Sequence, residues 1–151
     1  MRGVYVLLIQ IEKEIEILVG RLGKCKFSPG YYLYVGSGKN HLEKRVERHL
    51  RREGKKLFWH IDYLLDNPLV KVKKVWVGKD IEECDLAKKI VTRKEFGVPV
   101  NGFGSSDCRC KAHLFSVSGV LEKVDFLCKN RFCLLDWPLK SDKFNLDNSK
   151  V

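Results

Sequence analysis

An α/β (α+β) fold, a small mixed and mostly antiparallel sheet flanked by helices, is what this sequence predicts. Three observations point there. Apolar, β-branched runs of strand length recur along the chain, amphipathic helical patterns separate them, and Gly, Pro, Ser and Asn clusters mark the joints. At 151 residues the chain can bury about two thirds of its unfolded surface in one domain, without disulfides or a metal. Residues 1–137 are expected to form that domain. The polar segment 138–151, with little to bury, is expected to be a frayed tail.

Residues 3–10 (GVYVLLIQ) and 15–20 read as strands, and the intervening Lys13-Glu14 turn suggests that they form a hairpin. Ser28-Pro29-Gly30 is a turn signal before a strand from Tyr31 to Gly36. A helix is expected from about His41 to Glu53, closed by Gly54, with Leu42, Val46 and Leu50 as its core stripe. Arg45 and His49 border that stripe, and Arg48 and Arg52 lie just beyond. Trp59 to Leu65 reads as a short helix, and Val70 to Gly78 as a strand. A further helix runs from about Asp80 to Glu95. Asn101 to Cys110 is too rich in Gly and Ser for an element, Ala112 to Val117 suits a strand, and 121–137 reads equally as a strand pair or a helix.

The hydrophobic fraction of 44% and charged fraction of 32% are those of a globular protein. No apolar run approaches the roughly 20 residues needed to span a bilayer, and no signal peptide precedes the first strand. The sequence is therefore read as mature, cytoplasmic and free of membrane. Its six cysteines are expected to be reduced thiols. A formal charge of +10 suits a polyanionic partner. Between Lys39 and Lys56 eight Lys or Arg face three Glu, which supplies half of that charge. Lys39, Lys44, Arg48, Arg52, Lys55 and Lys56 are the candidate nucleic-acid contacts, with a solvated basic face as the bland alternative.

Glu83 is the most informative carboxylate. Leu86, Ala87, Ile90 and Val91 fall within about 80° of it around the helix axis, so it lies along an apolar face and needs a cation or another partner there. Alternatively, Asp80 and Glu83 form a capping box at the helix start.

The ordered set Gly3-Val4-Tyr5, Tyr34-Val35-Gly36, Arg45 and Glu83 resembles the GIY-YIG nuclease superfamily. Arg45 follows Tyr34 by 11 positions, and Glu83, in Glu83-Cys84-Asp85-Leu86-Ala87-Lys88, follows Arg45 by 38. The resemblance implies Gly3 and Gly36 as structural glycines beside two paired tyrosines, Arg45 as a phosphate ligand and Glu83 as the ligand of one Mg²⁺ or Mn²⁺. It further implies hydrolysis of DNA, duplex or branched, in a repair setting. Tyr34 is the first choice as general base if nearby cations lower its pKa from about 10, with Tyr5 supporting it. His49 matches a histidine of several branches, and Asn101 the asparagine that often closes the motif set.

Two features depart from the common pattern. The two tripeptides lie unusually far apart, with 28 residues between Tyr5 and Tyr34, which an extra hairpin within residues 11–29 would absorb. The segment Asn101 to Phe115 resembles a prokaryotic branch known as a domain of unknown function, DUF123, found alone or fused to an endonuclease III type glycosylase, which implies a repair glycosylase as partner. Within it, Asp107, Cys108, Cys110 and His113 could hold a metal, but the one-residue Cys-x-Cys spacing and the want of a fourth ligand disfavour structural zinc. The expectation is a sharp turn at Gly102-Phe103-Gly104 and a polar cluster of Asp107 and His113 near the cleft. His60 and Asp62 either join that cleft or cap their helix. A catalytically inactive nucleic-acid-binding domain is the alternative to an endonuclease.

Overall fold

Strand β1 (Gly3–Ile11) is buried along almost its whole length, so the residues that follow must cover it on two faces and two edges. The computed structural model describes residues 3–38, 40–79, 81–118, 127 and 135–137. Within these, β4 (Gly30–Gly38) pairs with one edge of β1 and β5 (Val70–Gly78) with the other. β7 (Leu114–Val117) and then β6 (Phe96–Gly97) extend the sheet beyond β4, and β8 (Leu135–Trp137) extends it beyond β5. Every described pairing is antiparallel, so the expected mixed sheet resolves into an antiparallel one.

The hairpin expected between β1 and the next strand does not form. β2 (Ile15–Leu18) instead pairs with β3 (Lys24–Phe27) as a separate two-stranded ribbon, the extra hairpin that the long interval between the tyrosines requires. The physical reason is burial. β1 carries apolar side chains on both faces and takes a central position between two long strands, whereas β2 alternates between buried Ile15 and exposed Glu16.

Alternation along β1 splits the core in two. Tyr5, Leu7, Ile9 and Ile11 face helices α1 (Leu42–Leu50) and α2 (His60–Leu65) together with Phe27 and Phe103. Val4, Val6 and Leu8 face α3 (Glu83–Val91) through Leu86, Ala87 and Ile90. Each aliphatic side chain fully buried this way contributes about 1.5–3 kcal/mol.

α1 is shorter than expected, and its inner stripe differs. Leu42, Val46 and His49 are buried while Leu50 is 38% exposed, because the step from 46 to 49 keeps the face better than the step to 50. α3 begins at Glu83; Asp80 lies outside the described residues, as do the rest of 121–137 apart from Leu127 and β8, and the tail 138–151. Among the described residues no helix is long and apolar enough to cross a membrane.

Candidate active site

The β1/β4 register sets Tyr5 opposite Gly36 and Leu7 opposite Tyr34, so both tyrosine rings stand on the α1 face, 6.4 Å apart between centroids. Gly36 has to be glycine: a methyl group there would overlap the Tyr5 ring. Gly3 is held differently, since its added Cβ would meet the backbone of Gly78 and it does not line the cleft. A cleft of about 390 Å³ opens above the rings and is lined by Tyr5, Tyr34, Arg45, His49 and Glu83, contributed by β1, β4, α1 and α3.

Arg45 reaches this cleft from α1, one turn before His49. Its guanidinium donates to the Ser37 carbonyl at 3.2 Å and lies 4.4 Å from the centre of the Trp59 ring, which fixes the charge over the opening. His49 is buried and its Nε2 is 2.6 Å from the Tyr5 hydroxyl. Phe58, next to Trp59 at the rim, is 72% exposed.

The expectation that cations would lower the Tyr34 pKa does not hold in this arrangement. Burial pushes it up, Glu83 and Asp62 add to the rise, and Arg45 opposes only in part. Tyr5 is also raised, first by burial and then by the charge of Tyr34, against the opposing effect of Arg45.

Glu83 does not fold back onto its own helix start. One carboxylate oxygen accepts from Ser37 Oγ at 2.6 Å, and the other contacts His113 Nδ1. Its side chain retains 26% exposure and enters the cleft instead of lying along the apolar face of α3. For His113, burial favours the neutral ring, but the hydrogen bond and charge of Glu83 outweigh it and raise the pKa above the usual value.

The segment after Pro99 is built as a pinned loop. Gly102 and Gly104 have φ of 85° and 76°, Phe103 is fully buried between them, and backbone bonds join Gly102 to Lys111 and His113 to Phe103. His60 also lines the cleft and accepts from the Gly104 amide at 2.8 Å. Asp107 lines the cleft, whereas exposed Asn101 does not and is not brought to the other site residues. On the far side of His113, its Nε2 approaches Cys108 Sγ at 3.5 Å and Cys84 Sγ at 3.9 Å. Cys25, Cys84, Cys108 and Cys110 are free thiols. Burial leads in pushing the Cys84 thiol up to about 12, with hydrogen bonds to Cys110 and Cys108 adding to it.

Three of the cations assigned to nucleic acid have other partners. Arg48 donates to both oxygens of buried Asp62, at 2.7 and 2.9 Å, and to the Lys56 carbonyl. Arg52 donates to the carbonyls of Leu65, Asn67 and Val70 and ties the end of α1 to the start of β5. The half-buried Lys55 donates to the His49 carbonyl. Lys44 and Lys56 are exposed, and Lys39 lies outside the described residues. Asp62 caps α2 by accepting from the amides of Phe58 and Trp59. Ser37, Trp59 and Cys84 were not singled out by sequence. Ser37 had a signal, directly after the Tyr34-Val35-Gly36 tripeptide, and Cys84 had one in its place beside Glu83.

His49 carries a testable pH dependence. Burial lowers its pKa to about 3, with Lys55, Arg48 and Arg45 adding to the fall against Asp62. The unfolded chain, with a histidine near 6.5, therefore binds the proton that the fold rejects, and stability falls as the pH drops below about 6.5. His113, raised by its partner, works in the opposite direction. The effect is thus read as a difference: between about pH 6 and pH 4, wild type should lose stability more steeply than His49→Gln, by up to about 1.4 kcal/mol per pH unit. Urea titrations at several pH values measure it, and parallel slopes would exclude a buried neutral His49.

A family model described as a domain of unknown function, DUF123, matches residues 4–132. No curated protein and no solved structure matches the chain.

Proposed function

The chain belongs to the DUF123 family, and from that membership and the cleft we propose that it is a divalent-metal-dependent DNA endonuclease of the GIY-YIG type, acting in cytoplasmic DNA repair. The observation that carries this reading is the convergence of Tyr5, Tyr34, Arg45, His49 and Glu83 on one cleft from four separate elements. A chain with a net charge of +10 has the electrostatics to bring a phosphodiester there.

The carboxylate of Glu83 fits a hard divalent cation. Glu83 lines the cleft, and each of its oxygens keeps lone-pair capacity beyond the contacts with Ser37 and His113. When bound, Mg²⁺ or Mn²⁺ supplies charge neutralisation at the leaving 3′ oxygen. The rest of the work falls to the chain. Arg45, held by Ser37 and Trp59, neutralises a nonbridging phosphate oxygen. Exposed Phe58 offers a stacking surface for a base beside that phosphate.

Water attacks phosphorus in line, the bond to the 3′ oxygen breaks, and the water proton must leave. A tyrosine whose pKa is raised carries little tyrosinate at neutral pH, so a lone Tyr34 is a poor base. Tyr5 has an onward acceptor. It can take the water proton while passing its own to His49 Nε2, a ring that burial holds neutral with a pKa of about 3, so the relay requires the negative charge of a bound phosphate to raise that basicity. Tyr34 then orients the water. A second reading, a silent nucleic-acid-binding domain, is favoured by one observation: both Glu83 oxygens already have partners within the protein.

The test is cleavage of duplex, single-stranded and branched DNA with Mg²⁺ or Mn²⁺. Wild type is expected to cut and a chelator to stop it. Arg45→Ala should fall by about 10²–10³-fold, the loss typical of one transition-state charge donor. Binding without cleavage of any substrate by wild type would leave the silent domain as the reading.

A further inference from the structure

We propose that Cys84, Cys108, Cys110 and His113 form a structural zinc site that fastens the 101–113 loop to the first turn of α3. The four ligating atoms, three Sγ and one imidazole nitrogen, lie within 4.8 Å of one another. With Zn–S near 2.3 Å and Zn–N near 2.0 Å, a tetrahedron has S···N edges of about 3.5 Å and S···S edges of about 3.8 Å. The separations from His113 Nε2 to Cys108 and Cys84, 3.5 and 3.9 Å, are close to those edges. Only a small inward shift is needed to close the set around an ion.

The sequence alone placed Asp107 beside Cys108, Cys110 and His113 but showed no fourth N or S ligand, and the short Cys-x-Cys spacing further disfavoured zinc. The missing member is Cys84, which comes from α3, across 23 intervening residues from Cys108. Asp107 instead lines the cleft. The short Cys-x-Cys spacing ceases to be an objection, because two ligands from one tight turn meet one ligand from a helix and one from the residue just before β7. Three thiolates and one imidazole are the soft, borderline donors that select zinc, and four protein ligands leave no position open for chemistry.

The other face of His113 supports the assignment independently. A histidine that binds metal through Nε2 characteristically gives its Nδ1 proton to a carboxylate, which fixes the tautomer and the ring. Glu83 stands against His113 Nδ1. The consequence reaches the cleft. The ion holds His113, His113 holds Glu83, and the carboxylate is placed under the opening by a chain of contacts that begins at the metal.

Elemental analysis of the full chain, purified under reduction with any affinity tag removed, should find about one zinc per chain. Cys84→Ser and Cys110→Ser should each lose most of it, while Asp107→Ala and Cys25→Ser should retain it. Because ligand variants can misfold, wild type produced with Co²⁺ in place of zinc provides a second measurement. It should show the intense visible bands of a tetrahedral site and thiolate-to-cobalt charge transfer. Wild type with less than about a tenth of an equivalent of zinc and no such spectrum would overturn the site. So would iron in its place, or full zinc occupancy in Cys84→Ser.

Discussion

Asp62→Ala is expected to lower the unfolding free energy by about 3 kcal/mol, the low end of the range for removing one partner of a buried ion pair. The carboxylate is fully buried and accepts four hydrogen bonds, two from Arg48 and one each from the amides of Phe58 and Trp59. Alanine leaves all four donors without their acceptor. The low end applies because the Arg48 side chain keeps 22% exposure and can recover some hydration. Burial raises the Asp62 pKa, but Arg48 and the two amides outweigh it and hold the group below its ordinary value. Its contribution is therefore present above the unfolded carboxylate pKa, near 3.9, and is lost as the pH falls through the lower folded value. Urea denaturation of wild type and variant at neutral pH measures the difference. A loss under about 1 kcal/mol would mean that the pair acts as a surface ion pair does. The same variant should loosen the cleft, since Arg48 lies 4.7 Å from the Trp59 ring that also braces Arg45.

Asp62 also shows what could be read from the chain and what could not. The pattern Trp59 to Leu65 announced a short helix, and capping was one of two roles open to Asp62. Nothing local told that Arg48, on another helix, would close onto it. Arg48 and Arg52 read as solvent cations because composition records charge and not partners. The limits of β5 were legible, since VKVKKVWVG switches abruptly from turn residues to alternation and back. The residue pattern pointed to β2 as the partner of β1, and only the resemblance, with its paired tyrosines, implied β4. Pairing across a long interval is decided by which strand can cover a doubly buried edge, and that is a tertiary competition between β2 and β4. His49 was placed beside the stripe of α1, but its burial depended on Tyr5 offering a polar partner inside the core. That Tyr5, Tyr34, Arg45 and Glu83 share one cleft was an implication of the family resemblance that their order and spacing carried. Cys84 had the right neighbour and no visible role, because a ligand set assembled from a helix and a distant loop leaves no periodicity in either.

Glu83→Gln should separate the two duties that the geometry gives to one carboxylate. As a brace, Glu83 accepts from Ser37 Oγ and stands against His113 Nδ1. Glutamine can keep that geometry: its carbonyl can accept from the imidazole, and its amide can donate to a hydroxyl that rotates to accept. What it removes is the negative charge. If the carboxylate holds Mg²⁺ or Mn²⁺ during cleavage, the variant should lose about 4 kcal/mol of transition-state stabilisation, a fall on the order of 10³-fold in turnover. DNA affinity should change far less, because Arg45 and the basic surface are untouched. A brace alone predicts the reverse pattern: turnover within about tenfold of wild type, and a zinc affinity lowered by about 10–100-fold as the orientation of His113 relaxes. Single-turnover cleavage and zinc competition on the same preparation distinguish them. Near-normal cleavage by a folded Glu83→Gln would remove this carboxylate from the chemistry and leave Glu83 as the link between the loop and the cleft.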